Sequence, residues 1–360
     1  MRVDVVDPSA YTPPYDHALA AALAAAGADV RLVTSHFAHG DVPRGAGYAV
    51  DERFYRGVPG GRLRVPAKLA RHVPDMLSTA RAARSAAVVH FQWLAVQPVD
   101  WLLLRAFRPP LVLTAHDVLP REPRPGQRAA QRRLYARVDA VVVHSEHGRA
   151  RLVDGLDVPP GKVEVIPHGV LRPPGDGGLP AELAGVDGPV VLFFGLLRPY
   201  KGLDVLLEAW RGIAGAELWV VGMPRMDTAP LRAAAPPGVR FVERFVPDAQ
   251  VGALFRRADL AVLPYREIDQ SGVLFTALGA GTPLVLSAVG GFPEVAAAGA
   301  AELVPPGDPA ALCAAIARLL GDPAARERLV AGARRAAAER YGWDAIAQRH
   351  LALYARLGAA

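Results

Sequence analysis

The chain has 360 residues, 51% hydrophobic and 21% charged, with a net charge of +6 and one cysteine, Cys313. That length exceeds a single hydrophobic core, so two domains are expected; one cysteine excludes an internal disulfide framework and a thiolate metal cluster. No apolar run nears the ~20 residues that span a bilayer, and the opening MRVDVVDPSA reads as a strand rather than a signal peptide, which sets the expectation of a cytoplasmic protein.

Val3 to Val6 is a short apolar strand, followed by a Pro-containing loop, an Ala-rich helix from about Asp16 to Ala26 closed by Gly27, and a second strand, Val30 to Thr34. This is a βαβ opening. A dinucleotide-binding turn would carry GxGxxG here, whereas the segment SAYTPPYDH has no glycine. A Tyr- and Pro-rich loop above a strand end suits a shaped small-molecule pocket, with Tyr15 and His17 as candidate contacts; both also fit loop packing and a helix start.

The positive charge excess lies within roughly the first 170 residues. Arg56, Arg62, Arg64, Lys68, Arg71, Arg81 and Arg84 meet only Asp75 between Arg53 and Arg84. The segment reads either as a solvated helix-and-loop face or as a surface for anionic lipid or an acidic substrate. It lacks the interleaved aromatics and module of a nucleic-acid binder, so no nucleic acid partner is expected.

Strands at Ala87 to Phe91, Leu111 to Thr114 and Ala140 to His144 end in HFQW, TAHD and HSEHG. Ligands bind beyond the carboxyl ends of strands in an open parallel sheet, which makes His116, Asp117, Gln92 and Trp93 candidates, with His90 and His144 beside them. The histidines are not at metal-ligand spacing with cysteines or carboxylates, so no metal is expected. After the strand Val163 to Pro167 and the residues HGV, the Pro/Gly-rich LRPPGDGGLP reads as a linker. The linker sets the domains at 1–171 and 172–342, with residues 343–360 reading as a last amphipathic helix.

The βα alternation then restarts. Strand Val190 to Phe194 ends at Gly195, and a short loop brings Arg198 and Lys201 to the start of the helix Leu203 to Trp210. Cations at a parallel strand end beside a helix N-terminus suit a phosphate; the same residues also fit an exposed basic loop. Strands follow at Glu217 to Val221 (ending at Gly222), Val239 to Phe241, Leu260 to Pro264 and Pro283 to Ser287. In the loop YREIDQSG, Asp269, Gln270 and Ser271 sit at a helix N-terminus whose free N–H groups can bind an anion. Gly272 allows close approach, and Glu267 and Asp269 can accept hydrogen bonds from sugar hydroxyls. An ordinary Ser/Asp cap is the alternative. The expected fold is α/β: two facing Rossmann-like, doubly wound domains with the ligand cleft between them.

Together TAHD, HSEHG, IPHGV, FFGLLRPYKGLDVLLEAW, FRRADLAVLPY and QSGVLFTALGAGTPLVLSAVGGFPEV resemble a retaining family 4 type glycosyltransferase of the two-Rossmann GT-B architecture over nearly the whole chain. The resemblance implies that Arg198 and Lys201 hold the diphosphate of a nucleotide-sugar donor, with backbone N–H groups of Ser271, Gly272 and Val273. It implies that His116 lies beside the donor sugar, that Gly222, Phe245 and Val246 line the nucleobase pocket, and that the last helix crosses back to the first domain through Trp343, Ile346, Leu351 and Tyr354. It further implies retention without a metal or other cofactor, and Glu267 joins the candidate catalytic groups. Two glutamates that the family carries eight positions apart fall here on Ile268 and Thr276. The expected partners are a nucleotide-sugar and a hydroxyl acceptor on the first domain, with peripheral contact to an anionic membrane at its inner face through the basic segment. An epimerase or sugar phosphorylase of the same fold, or a non-catalytic nucleotide-sugar-binding protein, are the alternatives.

Overall fold

The structure, a computed structural model, describes residues 1–38, 40, 45–58, 64–119, 125–174 and 176–358. Arg62 of the basic segment lies outside them. The chain forms two compact units, one of Met1–Pro167 with Trp343–Ala360, the other of His168–Gly342.

In the first unit, strands β1 (Arg2–Asp7), β2 (Asp29–Ser35), β3 (Tyr48–Phe54), β4 (Val88–Phe91), β5 (Leu111–Thr114), β6 (Ala140–Val143) and β7 (Val163–Val165) make one sheet. Its order is β3-β2-β1-β4-β5-β6-β7, and every neighbouring pair is parallel. Val3 pairs with both Val30 and Val88. Val88 packs with Val3, Val5, Leu19 and Ile346 on one face, while Val89 and Phe91 pack with Met76, Leu104 and Leu134 on the other. Successive residues are buried on opposite faces, so these strands read as unbroken apolar runs rather than as an alternation. β3, YAVDERF, escapes sequence reading because an edge strand covered on few sides keeps charged residues.

The second unit holds β8 (Val190–Phe194), β9 (Glu217–Val221), β10 (Val239–Val242), β11 (Leu260–Leu263), β12 (Leu284–Ser287) and β13 (Glu302–Val304). Their order is β10-β9-β8-β11-β12-β13, again all parallel. β13, a three-residue edge strand, is the one element of this sheet that the pattern does not signal. Strand order reverses between β1 and β4 in one sheet and between β8 and β11 in the other. These are the points where doubly wound sheets open a crevice at their carboxyl ends.

Composition puts the domain boundary at residue 171, whereas the structure puts it at Pro167/His168. The His168 ring stacks on Phe275 at 4.4 Å, and the N–H groups of Val170 and Leu171 donate to the carbonyls of Tyr341 and Phe275. Those residues therefore belong to the second unit. The C-terminal helix Trp343–Gly358 belongs to the first and packs on the helix Pro13–Ala25. Ile346 and Tyr354 are buried, Trp343 and Leu351 half-buried against the same core.

Candidate active site

The second unit builds its site at the β8/β11 reversal. The chain leaves β8 through Gly195, with φ of +107°, beside Gly222 at the end of β9, with φ of +151°. A Cβ on Gly222 would lie 1.9 Å from the Gly195 carbonyl oxygen, so only glycine lets the two strand ends approach this closely. The loop then turns through Pro199–Lys201 and is held from outside. The Arg266 N–H donates to the Tyr200 carbonyl at 2.8 Å, and its guanidinium donates to the Pro199 carbonyl and bidentately to Asp204. That hydrogen-bonded guanidinium holds the Asp204 carboxyl below its ordinary range. Arg266 thus locks the loop after β8 to the loop after β11, a role the sequence does not signal because the pair is far apart in the chain.

Lys201 is 6% exposed, with its ammonium 5.1 Å from the Tyr265 ring centroid. A Cβ built on Gly195 would meet Lys201 Nζ at 2.7 Å and Val273 Cγ2 at 3.1 Å. The cation and the first turn of the helix Gly272–Ala280 therefore converge on one point above Gly195. Ser271 occupies the N-cap but makes no side-chain cap bond; its own N–H takes the Gln270 side-chain oxygen. The first-turn N–H groups of this helix have no intrahelical acceptor, and Gly272 is exposed. An uncapped helix start beside a buried ammonium is an anion site in charge and in hydrogen-bond donors. Arg198 is half-buried on the same loop.

The other expected residues divide. Gln270 is half-buried and Glu267 exposed. Asp269 is buried, and its carbonyl accepts from Gly291 N–H. Phe245 is half-buried beyond the end of β10, while the Val246 side chain is packed into the core, which leaves its backbone alone for a ligand. Ile268 is buried with its carbonyl against Gly290. The Thr276 hydroxyl donates to the Gly272 carbonyl one turn back at 3.0 Å, so no carboxylate stands there.

The first unit gathers its polar groups beyond the carboxyl ends of β4, β5 and β6. His116 is the hub. Its ring stacks on Trp93 at 5.0 Å and meets Tyr15 edge-on at 4.9 Å. Its Nε2 is 3.2 Å from the Gln92 amide and its Nδ1 is 3.2 Å from His144 Nε2. Burial pushes the His144 ring down to about 4, so it is neutral and spends its one proton on the Ile166 carbonyl, 2.9 Å from Nδ1. His144 Nε2 is then an acceptor, and His116 Nδ1 the donor to it. His116 Nε2 faces the side-chain oxygen of the buried Gln92. Trp93 Nε1 donates to the Thr12 hydroxyl at 2.9 Å. Asp117 follows, half-buried.

Tyr15 is a packing residue, buried between His116, His144 and Trp343. His17 stands apart from the hub. Its Nδ1 is 2.6 Å from the Tyr48 hydroxyl, and it lines a separate cleft of ≈ 330 Å³ with Ala10, Asp16, Ser35 and Glu52. His90 is tied to Tyr354 and Thr114 at 2.6 and 2.7 Å and is kept neutral by burial, a structural role. Sequence reading misses Asp7, whose carboxylate accepts the N–H groups of Ser9, Tyr11 and Thr12 and so shapes the glycine-free loop. It also misses the buried chain Tyr55–His72–Asp100, with contacts of 2.9 and 2.6 Å. Among the described residues no group of three or more His, Cys, Asp or Glu is arranged to hold a metal ion.

Two family models cover the chain in sequence: a glycosyl transferase 4-like domain over residues 14–169 and glycosyl transferases group 1 over residues 188–322. The D-inositol 3-phosphate glycosyltransferase of Salinispora arenicola is 32% identical over 339 residues, covering 82% of this chain and 75% of that protein. The Geodermatophilus obscurus protein of the same name is 33% identical over 300 residues, covering 74% of this chain; the chain spans 66% of that relative's length. In structure, sucrose-phosphate synthase from Thermosynechococcus elongatus matches with a TM-score of 0.80 at 22% identity, over 100% of this chain and 99% of that one. Anabaena HepE in complex with UDP-glucose matches with a TM-score of 0.75 at 18% identity, over 99% and 100%. With two parallel Rossmann-like sheets and these relatives, the chain belongs to the group 1, family 4-like glycosyltransferases of GT-B architecture.

Proposed function

We propose that the protein transfers a sugar from a nucleoside diphosphate sugar to a hydroxyl acceptor with retention of anomeric configuration. The observation that carries this is the convergence of the Lys201 ammonium and the uncapped Gly272–Ala280 helix on Gly195. A diphosphate seated there gains a buried cation and free N–H donors, which stabilise the negative charge that grows as the glycosidic bond breaks. Arg198 adds a second cation from the same loop. The leaving phosphate accepts the acceptor's proton, so the site needs no separate nucleophile, and the cations do the work a metal would do elsewhere. The structural relative HepE is in complex with UDP-glucose, which makes a uridine nucleotide the first donor to test. His116 and Gln92 are the polar groups the first unit offers to a hydroxyl acceptor. The curated relatives' name makes a polyol phosphate such as inositol 3-phosphate the first acceptor to test.

The test is a panel of UDP- and GDP-sugars read by thermal shift, then transfer to inositol 3-phosphate and to unphosphorylated polyols with and without EDTA. The expected result is a raised Tm with one donor class, transfer unaffected by EDTA, and a product whose anomeric proton coupling in NMR matches the donor's. Inverted product, or sugar altered in the absence of any acceptor, overturns the reading.

A further inference from the structure

The loop after β1 holds an aromatic ring in solvent at a strained turn. Ala10 sits at a φ of +48°, a conformation that is unfavourable for a residue with a Cβ. The Asp7 carboxylate keeps it there by accepting the N–H groups of Ser9 at 3.0 Å and Tyr11 at 2.5 Å. Tyr11, the next residue, is 57% exposed, and it is the only exposed Phe, Tyr or Trp among the described residues. Its ring is nonetheless fixed in place. It rests on Trp93 with centroids 4.5 Å apart and planes 52° apart. Trp93 is held in turn by its Nε1 bond to Thr12 and by stacking on His116 at 13°. A ligand that covers Tyr11 therefore meets a ring already ordered, with little freedom left to lose.

A buried polar group without a partner belongs to the same cluster. Gln92, the residue before Trp93, is 0% exposed. Its side-chain oxygen faces His116 Nε2, while its side-chain nitrogen has no hydrogen-bond partner among the described residues. A buried NH2 without an acceptor is destabilising. An oxygen brought by a ligand, directly or through one water, supplies that acceptor. An apolar side chain of a protein partner would match the Tyr11 ring but not the amide, and an open-chain polyol would match the amide but not the ring. A pyranose matches both. Its axial C–H bonds form an apolar face, and its hydroxyls stand around the edge, where they accept from such donors.

We propose that Tyr11 takes the C–H face of a pyranose ring while the Gln92 amide meets a hydroxyl at its edge, so that the acceptor is itself a glycoside and Tyr11 the residue that selects it. The role of this ring as acceptor rests on the transferase reading, whereas its binding needs no donor.

The experiment is saturation-transfer NMR on the full chain, without nucleotide, using the methyl pyranosides of glucose, galactose and mannose. Glucitol, which carries the hydroxyls without the ring, is the control. Saturation of the C–H protons on one ring face is expected for at least one pyranoside, and none for glucitol. Tyr11→Ala weakens that binding about tenfold, whereas Tyr11→Phe retains it. Both variants keep their Tm, because the side chain is exposed. In transfer assays with that glycoside as acceptor, Tyr11→Ala raises the acceptor KM by about the same factor and leaves kcat and the donor KM unchanged. Glucitol binding as well as the pyranosides, no pyranoside binding, or binding unaltered by Tyr11→Ala overturns the proposal. A chain that binds a nucleotide-sugar but no pyranoside keeps the transferase reading and loses this one. Tyr11-dependent pyranoside binding by a chain that takes no nucleotide-sugar keeps the ring site and loses the transferase reading.

Discussion

Lys201 is buried, 6% exposed, at the end of the loop after β8. Tyr265 supplies a ring face, and the helix start beside Gly195 supplies partial positive charge rather than negative. Replacing Lys201 with Met, close in length and shape, is expected to lower kcat about a hundredfold or more, on the scale of one lost donor to a developing oxyanion. A variant that loses Tm and retains kcat would show the lysine to be scaffolding. The two cations of this loop are legible in sequence because they follow a strand end within a few residues. Arg266 is not, since its partners Pro199 and Asp204 lie some sixty residues away. Thr276 and Ile268 show in sequence as missing carboxylates, and the structure adds that Thr276 spends its hydroxyl on its own helix.

At the level of elements, the loop between β1 and the helix Pro13–Ala25 depends on a carboxyl pair. Asp7 accepts three loop N–H groups, and Asp16 is buried with it. Burial, and then the neighbouring Asp7 charge, raise the Asp16 carboxyl well above its ordinary value, so it keeps its proton and donates to Asp7. A carboxyl that holds its proton more tightly folded than unfolded contributes stability that is complete below 3.8 and is lost as pH rises toward the folded value. Asp16→Asn keeps an N–H donor toward Asp7 but cannot ionise. The stability difference, variant minus wild type, should therefore grow with pH above 4 by about 1.4 kcal/mol per pH unit before levelling off. Thermal melts at a series of pH values measure it, and a difference that shrinks as pH rises would sink the assignment. Neither carboxylate announces this role in the chain, because an acid ending an apolar strand and an acid opening a helix are both commonplace. The same holds for Tyr55–His72–Asp100, which ties the end of β3 to two helices. β3 itself is missed, and the pairing of its last residues cannot be read without it.

For the whole molecule, the parallel alternation was legible because apolar runs and helical spacers change period cleanly. The boundary was less so, since a Pro/Gly-rich stretch looks unpacked in sequence even where its backbone is bonded to a helix. The C-terminal helix holds the first unit together through Ile346, Leu353 and Tyr354 and through the Tyr354 hydroxyl on His90. Removing residues 343–358 should uncover that face and abolish the cooperative melting of the first unit while the second still unfolds as a calorimetric transition of its own. A truncated chain whose two transitions both survive would show the helix to be dispensable.

Because the chain passes from the first unit into the second at His168 and returns at Trp343, order of synthesis and order of completion are opposed. On a ribosome the His168–Gly342 unit has all its residues first, although it is made second. The amino-terminal unit waits with the apolar layer around Val3, Val5 and Val88 uncovered until the last helix emerges. Nascent chains stalled shortly before that helix are thus the species most in need of a chaperone, and a prematurely terminated message yields a sticky half rather than a smaller enzyme.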